Sequence, residues 1–591
     1  MRFSIMAEVF SKMDETTKRL ELTDLLAELF KKTEKEIIDK VVYLTQGKLY
    51  PDYIGIEIGI AEKLAIKALA LSSGLPLEKI ENLYSQLGDL GEVSATVSQK
   101  KQQLTLFSEP LSVERVYSTL EKIAKASGQG AIEVKLKVLV SLLNDAEPLE
   151  AKYIMRIVLG QLRLGVSDYT ILDALALAFT GSKENRELIE RAYNISSNLG
   201  EVAKILALKG LKGIEEFKVK PGIPVRPMLA ERLSTAKEVL EKLNFVGAAE
   251  YKLDGERLQI HKDEKNFYIY SRRLENITNH YPDVIELCKR SLNAQEFIIE
   301  GEAVAINEDT GDYLPFQELM HRRRKYGIEE AMTKYPVALH LFELLYLNGE
   351  DYTQKPYMER RKRLKEILTS EEDKIKLVPM KIVREEEEIK KYMEEAISEG
   401  CEGLVIKDLN SIYRAGAREF SWIKLKREYR SELTDTLDLI IIGGFHGRGR
   451  RAGKFGAFLL ASYDKEEGIF RSICKIGTGF TDEDLDLFPK LLEPYKMNHK
   501  PHNVDSKMEP DIWFFPKIVI EVIASEITLS PIHTSCINKV REGSGLALRF
   551  PKFTGKIRDD KAPEDATTDL EILKMYKSQL KKITEEVREV V

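Results

Sequence analysis

Cysteine is scarce: only Cys288, Cys401, Cys474 and Cys536 occur in 591 residues. No two stand in a Cys-x-x-Cys spacing and no histidine pair lies beside them. That argues against a structural zinc and a disulfide framework, and for a reducing compartment. Long apolar runs are missing too. Nothing approaches the roughly 18 consecutive apolar residues of a membrane-crossing helix. The start, MRFSIMAEVFSKMDETTKRLEL, lacks the apolar stretch of a secretory leader. A chain-wide positive charge is also absent, since 90 Lys and Arg stand against 96 Asp and Glu, a net −6. Any contact with a polyanion must come from local basic faces. No fixed-period repeat runs through the chain. The expectation is a soluble cytoplasmic protein, and high Lys and Glu with little Cys fits a thermophile.

What is present is ample core material, 43% hydrophobic residues, enough for roughly three or four domains. The first 210 or so residues read as helical. In LTDLLAELFKK, Leu22, Leu25, Leu26, Leu29 and Phe30 recur at helix spacing, with Thr23 or Asp24 as the expected cap. KVLVSLLNDAEPLEAKYIMRIVLGQLRLGV continues that pattern. Then KVKPGIPVRPMLA sets Pro221, Pro224 and Pro227 three apart, which suits an extended connector at a domain boundary. From about residue 245, short Val-, Ile- and Phe-rich runs alternate with charged helical pieces, a mixed α/β texture. After about residue 430, strands joined by glycine-rich turns dominate, as in a small barrel, and a polar helical tail closes the chain. The boundaries read from this are 1–222, 223–427 and 428–591.

The stretch EYKLDGERL, Glu250 to Leu258, sets Lys252 two residues before an Asp-Gly turn. Alone it reads either as a surface hairpin with a solvated lysine or as a covalent nucleophile. The second needs a deprotonated amine, so burial or neighbouring cations must lower its pKa. Other candidates carry the same ambiguity singly. In IIEGEAVAI, Glu300 and Glu302 share one strand face, either holding a hard cation or decorating an edge. Phe342 in LFELLYLNG is a plate for a base or a core residue. CEGLVIK offers Glu402 and Lys407. In YRAGAREFSWIKLKREY, Lys424 and Lys426 project from one strand face with Arg418 upstream, aimed into a phosphate cleft or at solvent.

Taken in order, these motifs resemble the covalent nucleotidyltransferase superfamily, and most closely the ATP-dependent DNA ligases of the archaeal and eukaryotic replicative type, over nearly the whole chain. The resemblance implies a multidomain fold: an all-α N-terminal DNA-binding domain, an α/β nucleotidyltransferase (adenylation) domain and a C-terminal β-barrel OB-fold domain. It puts Lys252 at the adenylylated position. Glu250, Arg257, Arg272, Glu302, Phe342, Arg418, Lys424 and Lys426 fall on nucleotide positions. Glu302 and Glu402 fall on Mg²⁺ positions, with Mn²⁺ able to replace it. Arg558 and Lys561 of TGKIRDDKAP fall on the pyrophosphate. Two positions depart from the usual pattern: Glu343 follows Phe342 where Asp is common, and Glu300 stands where Asp is commoner.

The implied activity is ATP-driven sealing of nicked duplex DNA in replication, recombination and repair, through lysyl-AMP and 5′-adenylylated DNA. GRGRRAGK, with Arg448, Arg450, Arg451 and Lys454 and no acid, suits a phosphate backbone, and GQLRLGVS resembles part of the helical DNA grip. Contacts are expected mainly on the backbone, because a nick sealer prefers no sequence. The barrel is expected to swing, with a hinge near Arg427 to Leu433. In KKQQLTLFSEP, residues Gln102 to Phe107 read either as a shortened peptide for a sliding clamp of the PCNA type or as a loop packed on its own domain. A monomer without membrane contact is expected, in the cytoplasm with the nucleoid. Two rivals share the core motifs, a capping guanylyltransferase and an RNA ligase. Neither needs some 220 helical residues in front.

Overall fold

The computed structural model describes residues 1–99, 109–306, 313, 316, 319, 322, 328–369, 374–399, 401–426, 436–447, 454–524, 526–530, 532–549 and 551–589. The clamp-peptide reading at Gln102 to Phe107, the hinge near Arg427 to Leu433, and Arg448, Arg450 and Arg451 lie outside these residues.

Helices occupy the first part of the chain up to Glu215 and share one core, built on Phe3, Phe10, Leu26, Phe30, Leu120, Ile154 and Leu172. The helix Arg19–Lys32 buries Leu22, Leu26, Leu29 and Phe30, as their spacing predicts. Its start is a correction. Lys18 is the N-cap, and Thr23 lies inside the helix with its hydroxyl donating to the Arg19 carbonyl at 3.0 Å. The true beginning was hidden because no Ser, Thr, Asp or Asn stands at the N-cap, which is Lys18 and makes no side-chain cap. Downstream, Pro148 opens the helix Pro148–Val158, where its missing N–H costs nothing.

The proline-rich connector is not extended throughout: it turns at residues 221–223, where Gly222 has φ +86°, then runs without regular structure to Met228, and it is pinned on both sides. Ser197 Oγ donates to the Pro224 carbonyl at 2.6 Å. The Gln259 side-chain amide clasps Val225, accepting from its N–H at 2.7 Å and donating to its carbonyl at 2.8 Å.

Two sheets follow. One runs β1 (Leu229–Arg232), β11 (Arg418–Lys426), β10 (Gly403–Lys407), β2 (Gly247–Lys252), β9 (Met380–Val383). The other runs β4 (Phe267–Ser271), β3 (Glu256–Lys262), β5 (Phe297–Ala305), β6 (Val337–Leu347), β7 (Glu350–Asp351), with β8 (Ile375–Leu377) beside β6. Consecutive strands β2 and β3 lie in different sheets, so the EYKLDGER stretch is a corner between sheets rather than a hairpin. Gly255 makes the corner possible: a Cβ there would sit 2.3 Å from the Ala303 carbonyl oxygen and 2.9 Å from Glu302 Cγ.

The last part is an eight-stranded sheet in which β12 (Leu437–His446) pairs with β13 (Phe455–Asp464), and β13 with β14 (Ile469–Ile476). Helices Asp482–Leu492 and Asp569–Glu589 bury Phe488, Leu492, Ile572 and Met575 against it. The first of these helices lies within the stretch read as strands. Its start was nonetheless written in the sequence, because Thr481 and Asp484 cap each other's N–H groups at 3.1 and 2.8 Å. The four cysteines are buried and free. Among the described residues no helix is long and apolar enough to cross a membrane.

Candidate active site

A cleft of about 190 Å³ opens between the two central sheets and is covered by residues 556–561 of the last part. It gathers residues far apart in sequence. Lys252 ends β2 at its floor. Its ammonium is in contact with the Glu402 carboxylate, and the Glu402 N–H donates to the Lys252 carbonyl at 2.8 Å. Burial pushes the Lys252 amine down, but Glu402, Glu302 and Asp254 outweigh it, and its pKa is raised. This corrects the expectation of a lysine depressed by cations. Here the nearest charges are carboxylates, and the strongly depressed lysine is Lys424 on β11. Burial is the main cause, and Lys561, Arg418 and Arg232 add to it.

Glu302 projects from β5 opposite Arg257 on β3. Burial pushes its carboxyl up to about 8, with Glu402 and Asp254 adding and Lys252 and Arg257 opposing. Three carboxyl groups thus converge around the lysine. Glu300, two residues away, has another role. It holds Arg257 at 2.7 Å and accepts from Tyr413 Oη at 3.1 Å. The idea of Glu300 and Glu302 as a paired cation site therefore fails for Glu300, which has an arginine as its counter-ion. Arg257 also donates to the Met228 carbonyl at 2.8 Å and lies 5.4 Å from the Phe342 ring.

At the other end of the cleft, Phe342 on β6 and Trp422 on β11 meet edge to face at 6.4 Å. Below them Glu250, 3% exposed, accepts from Lys407 Nζ at 2.7 Å, from Arg361 at 2.6 Å and from Tyr357 Oη. Glu343, which follows Phe342, is wholly buried and bidentate with Arg360 at 2.7 and 2.9 Å. The longer acid at this position is thus matched to a buried arginine.

The phosphate-type cations line the cleft from three directions. Arg272 comes from the end of β4, Arg418 and Lys424 from β11, and Lys556, Arg558 and Lys561 from the covering segment. Among the described residues, ten basic and six acidic ones line the cleft. Lys426 ends the same strand, β11. Acids of the last part meet these cations: Asp565 lies 3.0 Å from Arg272 and 3.5 Å from Arg418, and Glu571 3.7 Å from Arg418. Arg558 pairs with Asp560 at 2.8 Å and Asp438 at 3.2 Å, and Lys561 contacts Asp438. Burial and the adjacent Arg558 guanidinium push the Lys561 ammonium down to about 7. Arg273, which donates to the Lys561 carbonyl at 3.0 Å, adds a further tie across the cleft.

Sequence reasoning missed Tyr357, Arg360 and Arg361. Their stretch, YMERRKRLKEIL, reads as a solvated charged helix. The one available signal was a tyrosine and two adjacent arginines on a single turn. Trp422 and Lys556 were also missed, although they lie inside the quoted stretches YRAGAREFSWIKLKREY and TGKIRDDKAP.

The chain resembles known proteins over its whole length. Residues 227–426 match the family described as ATP dependent DNA ligase domain, residues 2–176 the DNA ligase N terminus, and residues 451–561 the ATP dependent DNA ligase C terminal region. A DNA ligase of Nitrosopumilus maritimus is 53% identical over 581 residues, covering 98% of this chain and 99% of that one. DNA ligase 2 of Thermofilum pendens is 54% identical over 588 residues, 98% of each chain. A probable DNA ligase of Aquifex aeolicus is 50% identical over 586 residues, 98% of this chain and 99% of that one.

Proposed function

The chain belongs to the ATP-dependent DNA ligases, and within that family we propose that Lys252 is the residue that takes AMP from ATP. The observation that carries this is the setting of Lys252: it is the lysine at the floor of a cleft whose walls supply an aromatic plate at one end and a surplus of cations at the other.

ATP lies with its base at Phe342 and Glu250, its ribose near Arg257, and its phosphates toward Arg272, Arg418, Lys424, Lys426, Arg558 and Lys561. Lys252 Nζ attacks the α-phosphorus, an N–P bond forms, and the P–O bond to pyrophosphate breaks. The ammonium first gives up a proton, and Glu402, in contact with it, is the placed acceptor. The AMP then passes to the 5′-phosphate of a nick, and the 3′-hydroxyl displaces it, sealing the strand. Each step is an in-line displacement at phosphorus, so positioning and charge neutralisation supply the rate. Mg²⁺, or Mn²⁺ in its place, would neutralise phosphate charge. Glu302 and Glu402 suit it, because two carboxyl groups with Asp254 beside them form a site short of positive charge once the Lys252 proton has passed by way of Glu402 to solvent.

The remaining assignments belong to the same proposal. The domains run 1–222, 223–427 and 428–591. The last is an OB-fold barrel that closes over the cleft for lysine adenylylation and swings away to meet DNA. The protein works as a monomer on nicked duplex DNA, with the Gln102 to Phe107 loop as a sliding-clamp peptide and the cytoplasm as its location.

The test is incubation with ATP and Mg²⁺ followed by intact-mass analysis. One added AMP is expected on the wild type and none on Lys252→Ala of unchanged melting temperature. An adduct persisting on the Ala variant would remove Lys252 from the reaction.

A further inference from the structure

Glu250 stands two residues before Lys252 on β2, so both side chains leave the same face of the strand. Its carboxylate is held unusually firmly. One oxygen accepts from Tyr357 Oη and from Arg361 at 2.6 Å, and the other from Lys407 Nζ at 2.7 Å. Tyr357 and Arg361 are one turn apart on the helix Tyr357–Ile367 and therefore share a face. Arg361 spends its second amine on the Val378 carbonyl at 2.6 Å, and Val378 lines the cleft. It thereby ties the carboxylate to the wall. The helix cannot roll away, because Arg360 is bidentate with buried Glu343 and also donates to the Lys355 and Ser411 carbonyls at 2.6 and 2.8 Å.

An ionised carboxylate has about four acceptor positions and no donor. Three are engaged among the described residues, which leaves one on a side chain that lines the cleft. Resting on the reading that Glu250 faces the base, we infer that Tyr357 and Arg361 are positioning residues that hold Glu250 as an obligate acceptor and so set the preference for adenine over guanine. The 6-amino group of adenine donates to the remaining position. The 6-oxo group of guanine is itself an acceptor and is repelled there. With the clamp loosened, the carboxylate can turn away from the 6-position, and the discrimination between the two bases falls.

The experiment measures self-adenylylation with ATP and with GTP, each as KM and maximal rate, on the full chain. Tyr357→Phe and Arg361→Met are each expected to lower the ATP-to-GTP preference by about tenfold or more, mostly through KM for ATP, since lost hydrogen bonds to a charged group are worth that much. Arg361→Lys, which keeps the charge but not the Val378 tie, should recover part of the preference. Unchanged preference in both variants, with lowered melting temperature, would mean the pair only braces the fold and would overturn the inference. Glu250→Gln separates the two levels. If it leaves the preference intact, the reading of Glu250 toward the base is what fails. If it lowers the preference while Tyr357→Phe and Arg361→Met do not, only the positioning role fails.

Discussion

The two ends of the cleft treat charge in opposite ways. At the base end, Glu250, Glu343, Arg360, Arg361 and Lys407 pair with one another within about one helical turn and three strands, all buried. At the phosphate end, burial pushes Lys424 down, with Lys561 and Arg418 adding, burial and Arg558 push Lys561 down, and the acids that meet Arg418, Asp565 and Glu571, come from beyond residue 560. A cluster whose two carboxylates are paired side chain to side chain with three cations is a rigid template for a neutral ring. A surplus of cations whose counter-charges arrive on another part of the chain is a site that awaits an anion, and closure and phosphate binding answer the same electrostatic need.

The largest effect should fall at the phosphate end. If Arg558 and Lys561 serve the leaving pyrophosphate, Arg558→Ala with Lys561→Ala should slow self-adenylylation about a thousandfold, the order expected when two charged donors are lost from a displacement at phosphorus. Sealing of pre-adenylylated nicks should change far less. Single-turnover rates of both reactions decide it, and equal losses would erase the distinction between the two ends.

Stability should separate the ends next. Arg360→Met leaves Glu343 charged and buried without its partner, at a cost of about 3–5 kcal/mol. Arg418→Met, whose acids belong to another part of the chain, should cost much less. Chemical denaturation of both variants tests the contrast, and similar losses would show that the phosphate end is as fully built into the fold as the base end.

The smallest effect is a pH dependence of closure. Burial alone would raise the Glu571 carboxyl, but Lys424, Arg418 and the Thr568 N–H hold it at about 2, below its ordinary 4.5. A lowered carboxylate contributes fully above its ordinary range and loses that contribution as the pH falls toward the lowered value. Energy transfer between dyes on the central and last parts should therefore decline from pH 5 downward. Glu571→Gln should open the chain already at neutral pH and flatten the acid limb while sparing the helix start, because glutamine also satisfies the Thr568 capping arrangement. A variant that traces the wild-type curve would mean that Glu571 does not fasten the two parts.

Much of the site was legible because its residues sit in short strands whose period of two declares a face. That period paired Glu300 with Glu302 and Lys424 with Lys426; Glu302 and Lys424 line one cleft with Lys252, Glu250 and Arg418, whereas Glu300 is taken by Arg257. The helix Arg19–Lys32 was legible for the matching reason, an apolar stripe at helical spacing, though its first turn was not. Tyr357, Arg360 and Arg361 were not legible. A charged helix looks solvated until its carboxylate partners are known, and Glu250 lies 107 and 111 residues from Tyr357 and Arg361. The Asp-Gly step after Lys252 looked like a hairpin turn, because nothing local says whether the next strand pairs with the last one.

By itself, the sequence determined which residues can do the chemistry and in what order they occur, since residue type and strand period are local properties. The direction of the Lys252 pKa, the diversion of Glu300 to Arg257, the clamp on Glu250 and the meeting of Arg272 and Arg418 with Asp565 were decided by tertiary structure alone. Each depends on the distance between charges carried by separate elements and on how much water is excluded between them. Both are set by how the two sheets, the helix Tyr357–Ile367 and the last part of the chain pack together.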